Sequence, residues 1–517
     1  MRPSFVQASI AAAMLLFAAA GTAMPSAAQA FDFNDVTKIA KQLAQKPYAP
    51  PPGIPEALAK LDYRQYLQIH ALPQNSLWEQ SHTDFQVTLT PPGEYYRHLV
   101  KIDVVDANGT HAVPFHKHWF QWPNDLADKL SGNLGYTGFK LTFPLNGPGK
   151  HDQFLVFAGA SYFRGVARNQ VFGLSGRGIA VDTGLPSGEQ FPNFTHFWLV
   201  RPSPDAHVMQ FYALLNGASL TGAYHFTVFP GAKTRLEVHA RLFMRHPVQL
   251  LGLAPLTSMF YYGANTPRPV SEWRPAAHDS GGLLIHSGTG EWLWRPLINP
   301  IRLQMNYFVA DSPRGFGLLQ RATRFSDYED DELDYQDRPS AWITPRGDWG
   351  SGHVVLVEIP TDSETNDNIV AFWSPDSKAH PASGYDLRYT LDFGAPDVTG
   401  ETLGQVRATY VGTGPATGRT KAKSAYRIAV DFGDGELAKL KPDADVQGVV
   451  TGLDGTTVQS QSVRWVAPSK HWRLSIDATP ANGKPLALRA FLKQGADTLT
   501  ETWSYALPPD NRYTAGG

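Results

Sequence analysis

The sequence predicts an all-β protein: a large antiparallel β-sandwich followed by a small immunoglobulin-like β-sandwich. Three observations predict it. From about Tyr66 to Thr390 the chain is a succession of short period-two runs separated by turn pairs such as Pro92-Gly93 and Asn108-Gly109, the signature of strands joined by tight turns. Around Asp392 to Lys423 the composition shifts to Gly, Thr and Ala, poor material for a core and good material for a linker. Beyond it the alternation resumes for about a hundred residues, the size of an immunoglobulin-like sandwich.

Taken in order, residues 1–30 have the layout of a secretory signal: Arg2, the apolar run Ala11 to Gly21, then Ala28-Gln29-Ala30. Export is therefore expected, with the mature chain starting at Phe31 and a bacterial periplasm compatible with it. No later run approaches the ~18 apolar residues that span a bilayer. The absence of cysteine means that stability must rest on core burial, and it removes thiolate chemistry. Residues 31–46 place Val36, Ile39, Ala40 and Leu43 at helical spacing, with acids early and lysines late, as the helix dipole favours. Pro50-Pro51-Pro52-Gly53 ends any helix, and Ile54 to Leu61 can form a second short one. Strands follow: Phe85, Val87 and Leu89 alternate with Gln86 and Thr88, and Val100, Ile102 and Val104 with Lys101 and Asp103. No fixed-period repeat is found, which argues against a propeller or β-helix. The expected organisation is a large sandwich over 31–395, linker and loop over 396–423, and the small sandwich over 424–517, where Tyr426, Ile428, Val430 and Phe432 alternate, as do Trp472, Leu474 and Ile476.

A formal charge of −2, from Lys+Arg 45 against Asp+Glu 47, gives no electrostatic case for nucleic acid or an anionic membrane surface. A neutral partner such as a glucan fits better. Six of the thirteen Trp lie between Trp273 and Trp373, beside an acidic run from Asp327 to Asp337. Aromatic faces stack on sugar rings and paired carboxylates cleave glycosidic bonds.

The candidates for chemistry lie in that stretch. His278-Asp279-Ser280-Gly281-Gly282 puts a carboxylate in a tight turn, which is equally the pattern of an ordinary Asx turn. Ser363-Glu364-Thr365-Asn366-Asp367-Asn368 precedes the apolar run Ile369 to Trp373, so its acids sit where a loop meets a rigid strand; a plain polar turn reads the same way. Most of the acidic run reads as a solvated loop, Tyr335 excepted, whose hydroxyl could hold a water in a proton relay. His116-Lys117-His118 puts two imidazoles on one face of a strand without a third ligand, which favours packing or sugar contact over a metal. Gly173-Leu174-Ser175-Gly176-Arg177-Gly178 lacks the Lys-Ser/Thr ending of a phosphate loop and reads as a turn. No Gly-x-Ser-x-Gly elbow supports a serine hydrolase.

Several segments together resemble one family. Phe31-Asp32-Phe33, Tyr162-Phe163-Arg164, Gly173 to Gly178, Gln320-Arg321 with Phe325, Pro339-Ser340-Ala341-Trp342, Gly347-Asp348-Trp349-Gly350 and Asn366 to Trp373 are similar, in order and number, to the osmoregulated periplasmic glucan biosynthesis proteins of types G and D. The resemblance implies a galactose-mutarotase-like large sandwich, and β-1,2-linked glucan as substrate. It also implies inverting glycoside hydrolase or transglycosylase activity without a cofactor or metal, and a link to a membrane glucosyltransferase. Its catalytic aspartates match Asp279 and Asp367, and its water-ordering positions match Tyr335 and Glu364. Asp279 is expected as acid and Asp367 as base, with exchanged roles left open. Trp342, Trp349, Trp373 and Arg321 are the expected substrate-binding residues. A homodimer is implied too. The lack of a twin-arginine pair in the signal favours type G. The alternative from another class is a non-catalytic glucan-binding escort; aldose mutarotation rests on fold analogy alone.

Overall fold

The computed structural model describes residues 31–123, 126–130, 134–381, 383–400, 402–413 and 425–513. The expected signal segment and the Gly-rich stretch 414–423 lie outside the described residues. The first described element is a helix, Phe33–Ala44, capped by Asp32, whose carboxylate accepts from the amides of Asn34 and Asp35 while Asp35 returns a bond to the Asp32 amide. Two such reciprocal bonds satisfy amides that the first helical turn leaves open. Val36 and Ala40 pack against Trp198, Tyr212, Leu214 and Ala223.

Two large sheets carry the main core. The ten-stranded sheet contains, in spatial order, Gln86–Thr90, Gly138–Phe143, Asp152–Ala158, Tyr162–Gly165, Ser175–Arg177, Leu251–Ser258, Ile369–Pro375, Gly352–Glu358 and Gln304–Val309. The centre of the fifteen-stranded sheet is Asn193–Val200, Met209–Asn216, Leu220–Phe229, Thr234–Met244, Gly384–Gly394 and Ser340–Arg346. Period-two alternation decides which side chains meet. Phe211, Ala213 and Leu215 join the main core, whereas Tyr212 and Leu214 turn to the helix on the other face. Across the two sheets Phe157 and Phe163 lie 5.2 and 5.7 Å from Phe226, and Phe139 lies 5.4 Å from Phe211, nearly all edge to face, the arrangement aromatic quadrupoles favour. The all-β sandwich expected from the alternation is therefore present, and no helix of the described residues is long and apolar enough to cross a membrane.

The C-terminal strands do not stand apart. Gln447–Leu453, Leu486–Gln494 and Thr502–Leu507 extend the fifteen-stranded sheet, with Thr502–Leu507 running parallel beside Trp292–Pro296 through Leu293 opposite Thr502 and Trp294 opposite Trp503. A four-stranded sheet, Gln405–Gly412, Tyr426–Gly433, His471–Thr479 and Thr457–Val466, covers it. Their core takes Leu284, Trp294, Leu319 and Trp342 from the first lobe together with Ile428, Leu474, Leu488 and Trp503 from the second. Inside the segment read as linker and loop, Gln405–Gly412 is a full strand; a register shift between Val406 and Ala408 breaks the alternation that would have marked it. Likewise Ser175–Arg177, inside the stretch read as a turn, is a buried strand, with Arg177 paired to Glu189 at 2.8 Å.

A buried ion pair ties the lobes. Arg321 forks onto Glu501, donates to the Val406 carbonyl at 3.0 Å and lies 3.8 Å over the Trp294 ring, and Glu501 also accepts from the Val406 amide. Both side chains are almost wholly buried. Removing one partner of a buried pair strands a charge in a low-dielectric site, at roughly 3–5 kcal/mol. Arg321→Met and Glu501→Gln should each lower stability by that order in urea unfolding, with the double variant losing less than the two losses added; additive losses would show that the pair is not coupled.

Candidate functional site

Asp279 and Asp367 are 88 residues apart in sequence but anchor on the same short segment. Ala277–His278 pairs with Phe260–Tyr262, and the Asp279 amide donates to the Met259 carbonyl at 2.9 Å. On the other side Asn368, buried at the foot of the Ser363–Asn368 loop, accepts from the Phe260 amide at 2.8 Å and donates to the Phe260 and Ile359 carbonyls. A carboxamide that uses both ends on backbone groups fixes the loop's exit, and with it the direction of Asp367.

The two carboxylates have different surroundings. Asp279 is 4 % exposed and is paired with Arg338. Burial pushes its carboxyl up from the ordinary aspartate range, the Arg338 guanidinium opposes this, and the nearby charge of Asp367 adds to the rise. Asp367 sits in the open, its side chain 31 % exposed, with the Arg164 guanidinium 3.2 Å away. Arg164 is itself oriented by the Ser175 hydroxyl, which accepts from its Nε at 2.9 Å.

A chain of contacts runs from Asp279 into the acidic segment. Arg338 lies 4.1 Å over the Tyr335 ring, and the buried Tyr335 donates its hydroxyl to Glu364 at 2.8 Å. Burial, then the Glu364 contact, push the Tyr335 phenol well above its usual range, so it stays a proton donor. Glu364 shares Arg274 with Asp330, each 2.8 Å from Nη1, and Glu272 takes the other side of the same guanidinium. Asp330 also accepts from the amides of Glu332 and Leu333 at 2.9 Å. Burial alone would raise its carboxyl, but these bonds outweigh it and hold it low. Most acids of the run are exposed or part-exposed, as expected of a solvated loop, but Asp330 is buried, between 3-10 turns at Phe325–Asp327 and Tyr335–Asp337. His278 is enclosed by Phe260 and Tyr328, its backbone carbonyl accepting from Gln320, and burial drops its imidazole to about 4, which keeps it neutral near pH 7.

The expected substrate-binding residues fall elsewhere. Trp373 is 1 % exposed and donates its indole N–H to the Ala310 carbonyl; Trp342 is 8 % exposed, stacked on Trp292 in the shared core. Arg321 is consumed by Glu501. None of the three leaves a face for a sugar ring. Trp349 is half-buried, 5.3 Å from Trp373 and edge-on to Tyr389. His116 precedes the 3-10 turn Lys117–Trp119 and His118 lies within it, so the two do not share a strand face, and His116 packs on Trp119 at 4.6 Å. Among the described residues no group of three His, Asp or Glu could hold a metal ion.

Sequence reasoning did not single out Arg338, Arg164, Arg274 or Asp330. Arg164 stands in the Tyr162-Phe163-Arg164 motif, and Arg338 closes the acidic run as its one cation; the partners of each are too distant in sequence for spacing to reveal them. The charge of Arg164 acts on Tyr96 and Tyr162, with Tyr66 5.5 Å from Tyr96, and Tyr63 and Tyr95 exposed. This arrangement offers two carboxylates of contrasting exposure, guanidinium groups beside them, and tyrosine rings on the Arg164 side, a combination suited to a polyhydroxylated, uncharged chain.

Comparison with known proteins agrees in class. The family described as "Periplasmic glucan biosynthesis protein, MdoG" matches residues 31–507. The chain is 43 % identical to the Glucans biosynthesis protein G of Ralstonia nicotianae over 493 residues, 94 % of this chain and 98 % of that one. It is 41 % identical to the Glucans biosynthesis protein G of Dickeya dadantii over 492 residues, 93 % and 94 % of the two chains. With both the family match and these relatives spanning nearly all of its length, the chain belongs to the MdoG family of periplasmic glucan biosynthesis proteins.

Proposed function

We propose that this chain is a periplasmic enzyme that trims or remodels β-1,2-linked glucan made by a membrane glucosyltransferase, cleaving glycosidic bonds with inversion between Asp279 and Asp367. Membership of a periplasmic glucan biosynthesis family and the secretory layout of residues 1–30 support the compartment and the glucan. The observation that carries the catalytic reading is the pair of aspartates, Asp279 and the neighbour of Asp367 bonded to one backbone segment, in unlike environments: one buried against Arg338, the other exposed beside Arg164. Two carboxylates of different environment are what acid and base roles require.

The geometry favours the exchange of the roles first expected from the sequence. Asp279 is held as a carboxylate by Arg338, and its burial makes it a stronger base. The groups suited to ordering an attacking hydroxyl are on its side: Tyr335 is coupled to Asp279 and bonded to Glu364. Asp367, at an exposed loop position, can meet the glycosidic oxygen of a glucan chain lying against it. On this reading Asp279 removes the proton of water or of an acceptor sugar hydroxyl, positioned by Tyr335 and Glu364, as that oxygen attacks the anomeric carbon. Asp367 protonates the departing oxygen, and Arg164 sets its direction.

Asp279→Asn and Asp367→Asn should each cut the rate on linear β-1,2-glucan by about 10²- to 10⁴-fold, the usual worth of a general acid or base. On a short β-1,2-glucan carrying a nitrophenyl leaving group, which needs no protonation to depart, Asp367→Asn should recover much of its rate and Asp279→Asn should not. Recovery in Asp279→Asn alone would reverse the roles. Binding of glucan by the parent without any change in product size would instead support the escort reading.

The pH profile gives a second check. A base must be ionised, so kcat/KM falls as pH drops through its pKa. Arg338 opposes the rise of the Asp279 pKa, so Arg338→Gln should move the acidic limb of the profile to higher pH whatever the loss in rate. An unmoved limb would remove Asp279 from the base role.

A further inference from the structure

The last described residues reach back to the loop that carries Glu364 and Asp367. Pro508 to Tyr513 is seated on the C-terminal lobe by Asn511, whose carboxamide donates to the Tyr426 hydroxyl at 3.0 Å, and by Tyr513, whose ring lies edge-on to Tyr426 at 6.5 Å. Between them Arg512 points to the other lobe. Its Nε donates to the Asn299 carbonyl at 2.9 Å, and its Nη2 to the Asn299 side-chain oxygen at 3.1 Å and the Thr361 carbonyl at 3.0 Å.

Thr361 is the entrance to the candidate catalytic loop, and every polar group it has is used to shape it. Its amide donates to the Asn299 side-chain oxygen at 3.0 Å, and its carbonyl accepts from the Asn299 carboxamide at 2.8 Å as well as from Arg512. Its hydroxyl donates to the Ser363 carbonyl at 2.8 Å and accepts from the Ser363 amide and the Asn366 carboxamide, each at 3.1 Å. The loop's exit is fixed by Asn368 on Phe260 and Ile359; its entrance is fixed by Asn299 and by a guanidinium from the far end of the chain. Only a planar fork with donors in several directions reaches both carbonyls and the carboxamide oxygen at once.

We propose that Arg512 is a positioning residue for the loop Ser363–Asn368, through which the C-terminal tail sets the placement of Glu364 and Asp367. The inference rests on the catalytic reading for its effect on rate, though not for the latch itself. It extends the site to a segment beyond residues 31–507, which the family match covers.

The test compares the parent with Arg512→Ala and Arg512→Lys by two independent readouts: hydrogen exchange at the Thr361 and Ser363 amides, and steady-state cleavage of linear β-1,2-glucan. Both variants should lose amide protection there. Misplacing a reacting group by a fraction of an ångström to an ångström costs up to about a hundredfold, so kcat should fall about ten- to a hundredfold while KM changes less than about threefold. Lysine, with one ammonium, should recover little, whereas millimolar guanidinium added to Arg512→Ala should restore kcat, which a variant that had simply unfolded could not do. Unchanged protection overturns the latch. Lost protection with unchanged kcat overturns its catalytic part. A parent inactive on glucan overturns the proposed function instead, and the exchange result still decides the latch.

Discussion

Keeping charge out of water at one place is the constraint on which the site depends. Asp279 is enclosed, and an isolated buried carboxylate costs several kcal/mol that only a partner with good geometry can offset. Arg338 is that partner, and its own position is set by the Tyr335 ring beneath it and the Leu333 carbonyl beside it. Tyr335 in turn needs an acceptor, which Glu364 supplies, and Glu364 needs a cation, which is Arg274, already shared with Glu272 and Asp330. Each group is satisfied by the next, so the segments 259–279, 325–338 and 360–368 cannot be placed independently. A change at any member is felt as a shift of the others, which is why such networks are poorly described by pairwise sums.

The same economy explains the joining of the lobes. A separate small sandwich of about a hundred residues has little core of its own. Here its inner sheet is continuous with the large one through the parallel pairing of Trp294 and Trp503, and its core borrows Leu284, Leu319 and Trp342. The Arg321–Glu501 pair is buried at that seam. A rigid seam allows contacts made by the C-terminal tail on Asn299 and Thr361 to act as fixed points rather than as a tether on a mobile domain.

What could be read in the sequence was local. The Phe33–Ala44 helix, the strands and the two-sandwich pattern all follow from periodicities a few residues long, and the chain order of short motifs sufficed for the family. What could not be read depends on which face of a strand is covered. Trp342 and Trp373 look the same in sequence whether they stack on a sugar or fill a core, and both fill a core because both faces of their strands are packed. Arg177 and Arg321 look like surface or ligand-binding cations, yet both are buried and ion-paired, with Glu189 and with the sequence-distant Glu501. Gln405–Gly412 escaped because a bulge and its Gly and Thr neighbours hid the alternation. Asp330 escaped because six other acids surround it, and only a partner 56 residues away distinguishes it.

The contrast between the two aspartates follows from the backbone that holds them. Asp279 directly follows a strand pair and precedes Ser280, whose hydroxyl accepts from Ser258, and Gly281, whose amide bonds to Leu319; with rigid structure on both sides its side chain is buried. Asp367 stands one residue before the anchor Asn368, at the exposed end of a loop held at its two feet. A fixed, enclosed carboxylate suits the partner of a small nucleophile, water or one hydroxyl, ordered by a few fixed donors. An exposed one on a loop suits contact with a polymer that must slide in and leave. On the proposed reading the fold therefore separates the roles by how tightly each carboxylate is built in, and the arginines beside them hold the direction of each without having to touch the sugar.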